Sequence, residues 1–139
     1  MGQEKYCSLS RSFINGSNII IFVYDITRKE SFSELDFWTN SVKEELGEDE
    51  VIIGVVGNKA DLFTNTEVQK IEGENYAQKI NGFFSETSAK ENPEGFEIFV
   101  KMLLENLLAN KNIINKLEEL KDSSFTIDET STGGGGCCK

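Results

Sequence analysis

Two short runs constrain this chain more than any other feature. Ile19 to Ile26 reads IIIFVYDI and Val51 to Val56 reads VIIGVV. Both are nearly continuous apolar stretches rich in β-branched residues, which fits strands covered on both faces, as in a parallel sheet. Between them the period changes. Phe32, Leu35, Trp38, Val42 and Leu46 recur every three or four residues and form one apolar helical face, with Gly47 placed to end it. Val68, Ile71, Ala77 and Ile80 predict a second helix, weakened by Gly73. Phe83-Phe84-Ser85 reads as a short third strand, with Glu86 to Glu91 as its loop. Asn92-Pro93 has the form of an N-cap followed by proline at the first helical position. Phe96, Phe99, Val100, Leu103, Leu104, Leu107 and Leu108 then predict a long amphipathic helix extending toward Leu120. Strand and helix alternate three times, which predicts an α/β fold: a parallel sheet with alternating helices, joined by right-handed crossovers.

Composition narrows the classes. At 139 residues the chain is expected to hold one domain. It carries 14 basic and 24 acidic residues and no His, for a net charge of −10. That balance argues against nucleic acid as a partner, which needs a basic footprint. It also gives no electrostatic attraction to anionic lipid. No apolar run reaches the roughly 18 residues of a spanning helix. Met1 to Arg11 has no apolar signal-peptide centre, so a cytosolic protein is expected. The three cysteines, Cys7, Cys137 and Cys138, do not form a disulfide framework, and without His no zinc or other metal site is expected.

In open α/β sheets, ligands bind outside the C-terminal ends of the strands. Two loops fall there: Asn58-Lys59-Ala60-Asp61 and Thr87-Ser88-Ala89-Lys90. Guanine presents two parallel donors, its ring N1 and its 2-amino group. The Asp61 carboxylate can accept both. Adenine offers an acceptor at N1 and no 2-amino group, so it would leave a buried charge unpaired. Lys59 and Lys90 can lay their aliphatic stems on the base and ribose while their ammonium groups stay wet. The Ala89 N–H can donate to guanine O6, and Asn58 can bond the base and the neighbouring loop. Taken singly, Asn-Lys-x-Asp is more often a solvated turn, and Ser-Ala-Lys is weaker still. Two such loops, each after a buried-strand pattern and in this order, carry more.

With those loops the chain resembles the Rab family of Ras-like small GTPases. Asn58-Lys59-Ala60-Asp61 matches the family's guanine-specificity motif, and Glu86-Thr87-Ser88-Ala89-Lys90 matches its second base-binding motif. Gly2-Gln3-Glu4-Lys5-Tyr6 resembles the start of its second switch. Val23-Tyr24-Asp25-Ile26-Thr27, with Ser31-Phe32, Leu35 and Trp38, is similar to its core. The resemblance implies a partial Ras-like G domain over 1–110 and a helical extension with a flexible tail over 111–139. It implies GTP or GDP with Mg²⁺ as ligand, with Gly2, Asn58, Lys59, Asp61, Ser88, Ala89 and Lys90 binding nucleotide. Gln3 would orient the attacking water. Read alone, Gly-Gln-Glu is a common surface tripeptide. Cys7 is assigned no role.

The family pattern also calls for residues ahead of Met1. No G-x-x-x-x-G-K-[ST] phosphate loop occurs in these 139 residues. The first switch, with its Mg²⁺-binding Thr, and the Asp three places before Gly2 are missing too. The chain is therefore expected to be N-terminally truncated, impaired in nucleotide binding and hydrolysis, and left with Ile19 to Ile26 as an exposed edge.

The tail shifts to Ser, Thr and acidic residues from Asp122 and then to Gly133 to Gly136, a flexible tether. It ends Cys137-Cys138-Lys139, which resembles the doubly prenylated ends of Rab proteins. One lipid chain binds a membrane only marginally, so two prenyl groups would have to anchor this acidic tail. The bland alternative is an incidental cysteine pair.

The resemblance thus implies a guanine-nucleotide switch in vesicle-mediated intracellular transport. It would be lipid-anchored on the cytoplasmic face of endomembranes and cytosolic when escorted. Its partners would be prenylation and escort proteins, regulators and effectors. The alternatives are a non-enzymatic prenylated interaction protein and an inert fragment.

Overall fold

The computed structural model describes residues 14–46 and 51–123, with side chains through Glu119. Three strands form one parallel sheet in the order β1 (Ile19–Asp25), β2 (Ile52–Asn58), β3 (Phe83–Glu86). Helices α1 (Lys29–Ser33) and α2 (Leu35–Leu46) lead from β1 to β2. A 3₁₀ segment (Ala60–Asn65) and α3 (Lys70–Lys79) lead from β2 to β3, and α4 (Pro93–Ala109) and α5 (Lys111–Ser123) follow. The expected alternating α/β architecture with a parallel sheet is what forms.

The period-2 geometry of a strand divides these residues between two layers. Phe22 and Tyr24 of β1 and Ile53 and Val55 of β2 enter one core with Leu35 and Val42 of α2, and with Val68, Ala77 and Ile80 around α3. Val56 faces the other side, where Phe99 and Leu103 of α4 pack on it beside Ile19, Ile21, Ile52 and Phe83. β2 is central and buried throughout its middle, as its sequence predicts. β1 is covered less fully, in keeping with the exposed edge expected for Ile19 to Ile26. It is an outer strand among the described residues, and Val23 is 54% exposed. An open groove of about 450 Å³ runs along it, lined by Ile20, Phe22, Leu35, Trp38 and Val42 among others.

The helix spacing is largely realised. Leu35 and Val42 are buried, while Phe32, Trp38 and Leu46 pack partly buried against the same core; Gly47 lies outside the described residues. The Asn92 side chain accepts from the Gly95 N–H at 3.1 Å, and Pro93 is the first residue of α4. The long C-terminal helix is not continuous to Leu120. It breaks at extended Asn110, whose Oδ1 then accepts from the Asn112 N–H at 3.2 Å to start α5. Ile71, placed by periodicity on the buried face of α3, is 58% exposed. The reason is close packing elsewhere on that helix.

Gly73 is buried, and a Cβ there would lie 2.4 Å from both the Phe84 ring and the Tyr24 hydroxyl. Its presence lets α3 approach the sheet, so the residue that lowers helix propensity is the one that sets the packing distance. Gly54 does the same on the opposite face, where a Cβ would meet Leu103 Cδ1 at 2.9 Å. Around α3 an edge-to-face aromatic series runs from Tyr24 to Phe32 (5.0 Å between centroids) and on to Tyr76 (5.5 Å). Tyr76 Oη shares a 2.9 Å hydrogen bond with Thr39 Oγ1 of α2.

Two substitutions test this packing. Gly73→Ala gains about 1 kcal/mol of helix propensity, but overpacking a tight contact costs about 1–3 kcal/mol. With contacts as short as 2.4 Å the second effect wins, so urea unfolding should show net destabilisation. The Tyr24 hydroxyl is buried without a hydrogen-bond partner, and burial with nearby Glu86 and Glu72 pushes its pKa up. A lone buried hydroxyl carries a penalty of about 1–3 kcal/mol. Tyr24→Phe should therefore leave stability unchanged or raise it by about 1 kcal/mol; a loss larger than that would show that the hydroxyl has a partner in solution.

Candidate functional site

β1, β2 and β3 run parallel, so their C-terminal ends fall together on one edge. The ladder registers Asp25 with Asn58 and Gly57 with Glu86. The turns leaving these three strands are stitched by backbone bonds. Ile26 N–H donates to Asn58 O (3.1 Å), Thr87 N–H to Gly57 O (2.9 Å), and Ala60 N–H to Thr87 O (3.1 Å). The two loops singled out in the sequence are therefore neighbours, fixed before any side chain acts.

Side chains then cross-link them. Ser88 Oγ donates to Asp61 Oδ1 at 2.5 Å. The same Ser88 Oγ accepts from the Glu91 N–H at 3.0 Å, and its carbonyl accepts from the Asn92 N–H at 2.8 Å. Ser88 is buried, so it is a rigid anchor for the Asp61 carboxylate. Asn58 Oδ1 accepts from the Ala89 N–H at 3.1 Å. Asn58 thus bonds the neighbouring loop, as anticipated, and it does so through the N–H assigned to guanine O6. Lys90 is exposed on the same loop as Ala89.

Lys59 differs most from expectation. Its backbone is left-handed (φ 67, ψ 35), a region that few non-glycine residues occupy. Its ammonium is not simply solvated: Nζ lies 2.6 Å from Asp25 Oδ2. Asp25 is held in turn by Thr27, whose N–H and hydroxyl both donate to Asp25 Oδ1 at 2.9 and 2.7 Å. Burial alone would raise the Asp25 pKa. The bonds from Lys59 and Thr27 overcome that and bring it down to about 2. Sequence reasoning missed Asp25 and Thr27. The available signal was an Asp-x-Thr at the end of a buried run, a spacing at which an Asp side chain bonds the backbone two residues on.

A carboxylate has about four acceptor positions, and Ser88 uses one on Asp61. The remaining positions suit the paired donors of a guanine edge, so the residues present fit the base. Among the described residues no group of three or more His, Cys, Asp or Glu side chains is placed to hold a metal ion. Gly2, Gln3, Cys7, Cys137 and Cys138 lie outside the described residues. No helix among the described residues is long and apolar enough to cross a membrane.

Comparison with known proteins agrees with this geometry. The profile described as Ras family matches residues 1–108. The chain belongs to the Ras family of small GTPases, within its Rab branch. It is 44% identical over 98 residues to Ras-related protein Rab-17 of Homo sapiens, covering 70% of this chain and 46% of that protein. It is 36% identical over 127 residues to Ras-related protein Rab-12 of Mus musculus, covering 91% of this chain and 51% of that protein. The chain spans about half the length of the curated relatives it matches.

The Asp25 pair has a pH signature. Its folded pKa of about 2 lies below the ordinary 3.8, so the pair stabilises the fold fully above about pH 4 and its contribution is lost as pH falls through about 2. Asp25→Asn should flatten that part of the acid-unfolding profile, followed by circular dichroism. An unchanged profile would mean that the pair does not persist in solution.

Proposed function

We propose that this chain carries the base-reading half of the guanine-nucleotide site of a Rab-type switch acting in vesicle-mediated intracellular transport. The observation that carries the reading is the Ser88-to-Asp61 hydrogen bond at 2.5 Å. It holds a carboxylate from one loop on the other, with its remaining lone pairs available to a base. Asp61 accepts the guanine N1–H and 2-amino donors; the Lys59 and Lys90 stems wall the base; Asn58 and Ala89 meet its O6 and N7 edge. When bound, GTP supplies the γ-phosphate whose presence distinguishes the two states of such switches. On the strength of the family resemblance, the Gly2 N–H contacts that phosphate and Gln3 orients water. Two prenyl groups on Cys137 and Cys138 anchor the protein to the cytoplasmic face of endomembranes. Prenylation and escort proteins, regulators and effectors are the corresponding partners.

No phosphate loop occurs in the 139 residues, so the nucleotide contacts they supply are mainly those to the base. Charge-assisted hydrogen bonds contribute roughly 1.5–3 kcal/mol each, so losing about five removes on the order of 7–15 kcal/mol. That corresponds to at least about five decades of affinity. By themselves the contacts within these 139 residues would therefore hold nucleotide only weakly.

The test is titration of the folded chain with GDP, IDP and ADP in the presence of Mg²⁺. IDP lacks the 2-amino donor and ADP reverses the N1 donor, so binding should rank GDP above IDP above ADP, whatever its absolute strength. Asp61→Ala removes both base hydrogen bonds and should lower GDP affinity by at least about a hundredfold. It should also erase the preference over IDP. Equal binding of all three by the folded wild-type chain would overturn the base-reading assignment.

A further inference from the structure

We propose that Asp25 is a positioning residue for the nucleotide base: by pairing with Lys59 it sets the direction in which the lysine stem crosses the site. The inference rests on the guanine reading above and adds to it a residue outside both base-reading loops.

Lys59 follows Asn58, the last residue of β2, and Asp25 is the ladder partner of Asn58 on β1. The lysine therefore starts beside Asp25 but has a long, flexible side chain that could swing into solvent. Two features oppose this. The left-handed backbone at Lys59 aims the chain out of the regular path of β2. The Asp25 carboxylate then captures the far end, with Nζ and Oδ2 at 2.6 Å. Asp25 cannot follow a wandering lysine, because its other oxygen is held by the Thr27 N–H at 2.9 Å and the Thr27 hydroxyl at 2.7 Å. Ser31 Oγ fixes the Asp25 main chain as well, accepting from its N–H at 3.0 Å. The Asp25 side chain is 15% exposed against 50% for Lys59, so the fixed member of the pair is the acid and the guided member is the base.

Both ends of the lysine are thereby tied to the sheet, and its methylenes are drawn across the ends of β1 and β2. A stem held in this way presents an apolar wall to a flat ring without losing rotamer freedom at the moment of binding. Pairing also neutralises the ammonium, so the wall contributes packing rather than a free charge. Without Asp25 the same lysine would have to be ordered by the base itself.

The test uses the full chain and four forms: wild type, Asp25→Asn, Lys59→Met and the double variant. The first readout is the Lys59 side-chain ammonium by ¹⁵N NMR without nucleotide; the second is GDP affinity by titration to millimolar concentration. Asp25→Asn is expected to broaden or lose the ordered Lys59 signal while the amide spectrum of the sheet persists. It should weaken GDP about tenfold. Because Asp25 acts through Lys59, the double variant should bind GDP no more weakly than Lys59→Met alone. If Asp25→Asn does not fold, Thr27→Ala loosens the same carboxylate and should shift both readouts in the same direction. An equal loss of affinity on adding Asp25→Asn to the Lys59→Met background would assign Asp25 a merely structural role and overturn the inference. An unaltered Lys59 signal in Asp25→Asn would overturn it as well. Absence of GDP binding by the folded wild-type chain is a separate outcome, which removes the guanine reading and the positioning role with it.

Discussion

The parallel pairing of β1 with β2 is the interaction on which the rest of the structure depends. Its register places Asp25 beside Asn58, and the shorter β2–β3 ladder places Glu86 beside Gly57. Because all three strands point the same way, every loop leaving a strand at its C-terminal end emerges on one edge. The site is then assembled from three segments that are distant in sequence and need no long excursions to meet. A shift of one residue in either ladder would turn each strand's side chains to the opposite layer. A shift in the β2–β3 ladder would also separate Asp61 from Ser88. The apolar patterning that holds the register and the polar contacts that make the site are thus coupled through the same hydrogen-bonded ladders.

Packing on the two faces of the sheet is set by absent side chains as much as by present ones. Gly73 admits α3 to one face and Gly54 admits α4 to the other. Tyr24 lies against Gly73 with its hydroxyl unpartnered, an uncommon state for a buried phenol. Its ring begins the aromatic series that, centred on Phe32, ties α1 and α3 to β1. The apolar body of the residue serves the core, while its polar tip is a local defect tolerated within it.

Much of this was legible in the sequence because the strong signals are local. The two β-branched runs, the spacing from Phe32 to Leu46 and the Asn92-Pro93 cap each specify an element through nearest neighbours. The two loops that follow β2 and β3 stood out for a different reason: their residue types at their spacing would answer a particular donor pattern, and the fold places them side by side. What escaped were relations between distant segments. Gly73 reads as a flaw in a helix until the Phe84 and Tyr24 side chains are placed beside it. Ile71 follows the helical period yet faces solvent, because Gly73 and Ala77 bring α3 against the sheet along a narrower stripe. The break at Asn110 was hidden by apolar residues continuing on either side. Asp25 has no base-reading motif of its own, and only the ladder brings it to Lys59. The outer position of β1 is not written in its own composition, since IIIFVYDI would suit a central strand equally well; it was expected from the family pattern alone.

The bond between Asn58 Oδ1 and the Ala89 N–H bears on how such a site responds to occupancy. An N–H already engaged by a side chain is no vacant donor awaiting a ligand. A base carbonyl that reaches Ala89 must displace Asn58, and the freed amide must then find the ring edge. Binding at that point is an exchange of partners in which the number of hydrogen bonds hardly changes, so little net enthalpy is released there. With that bond made, neither the Ala89 N–H nor the Asn58 Oδ1 is left orphaned. Selectivity can therefore reside in whether an incoming ring completes the exchange, rather than in how many contacts it adds.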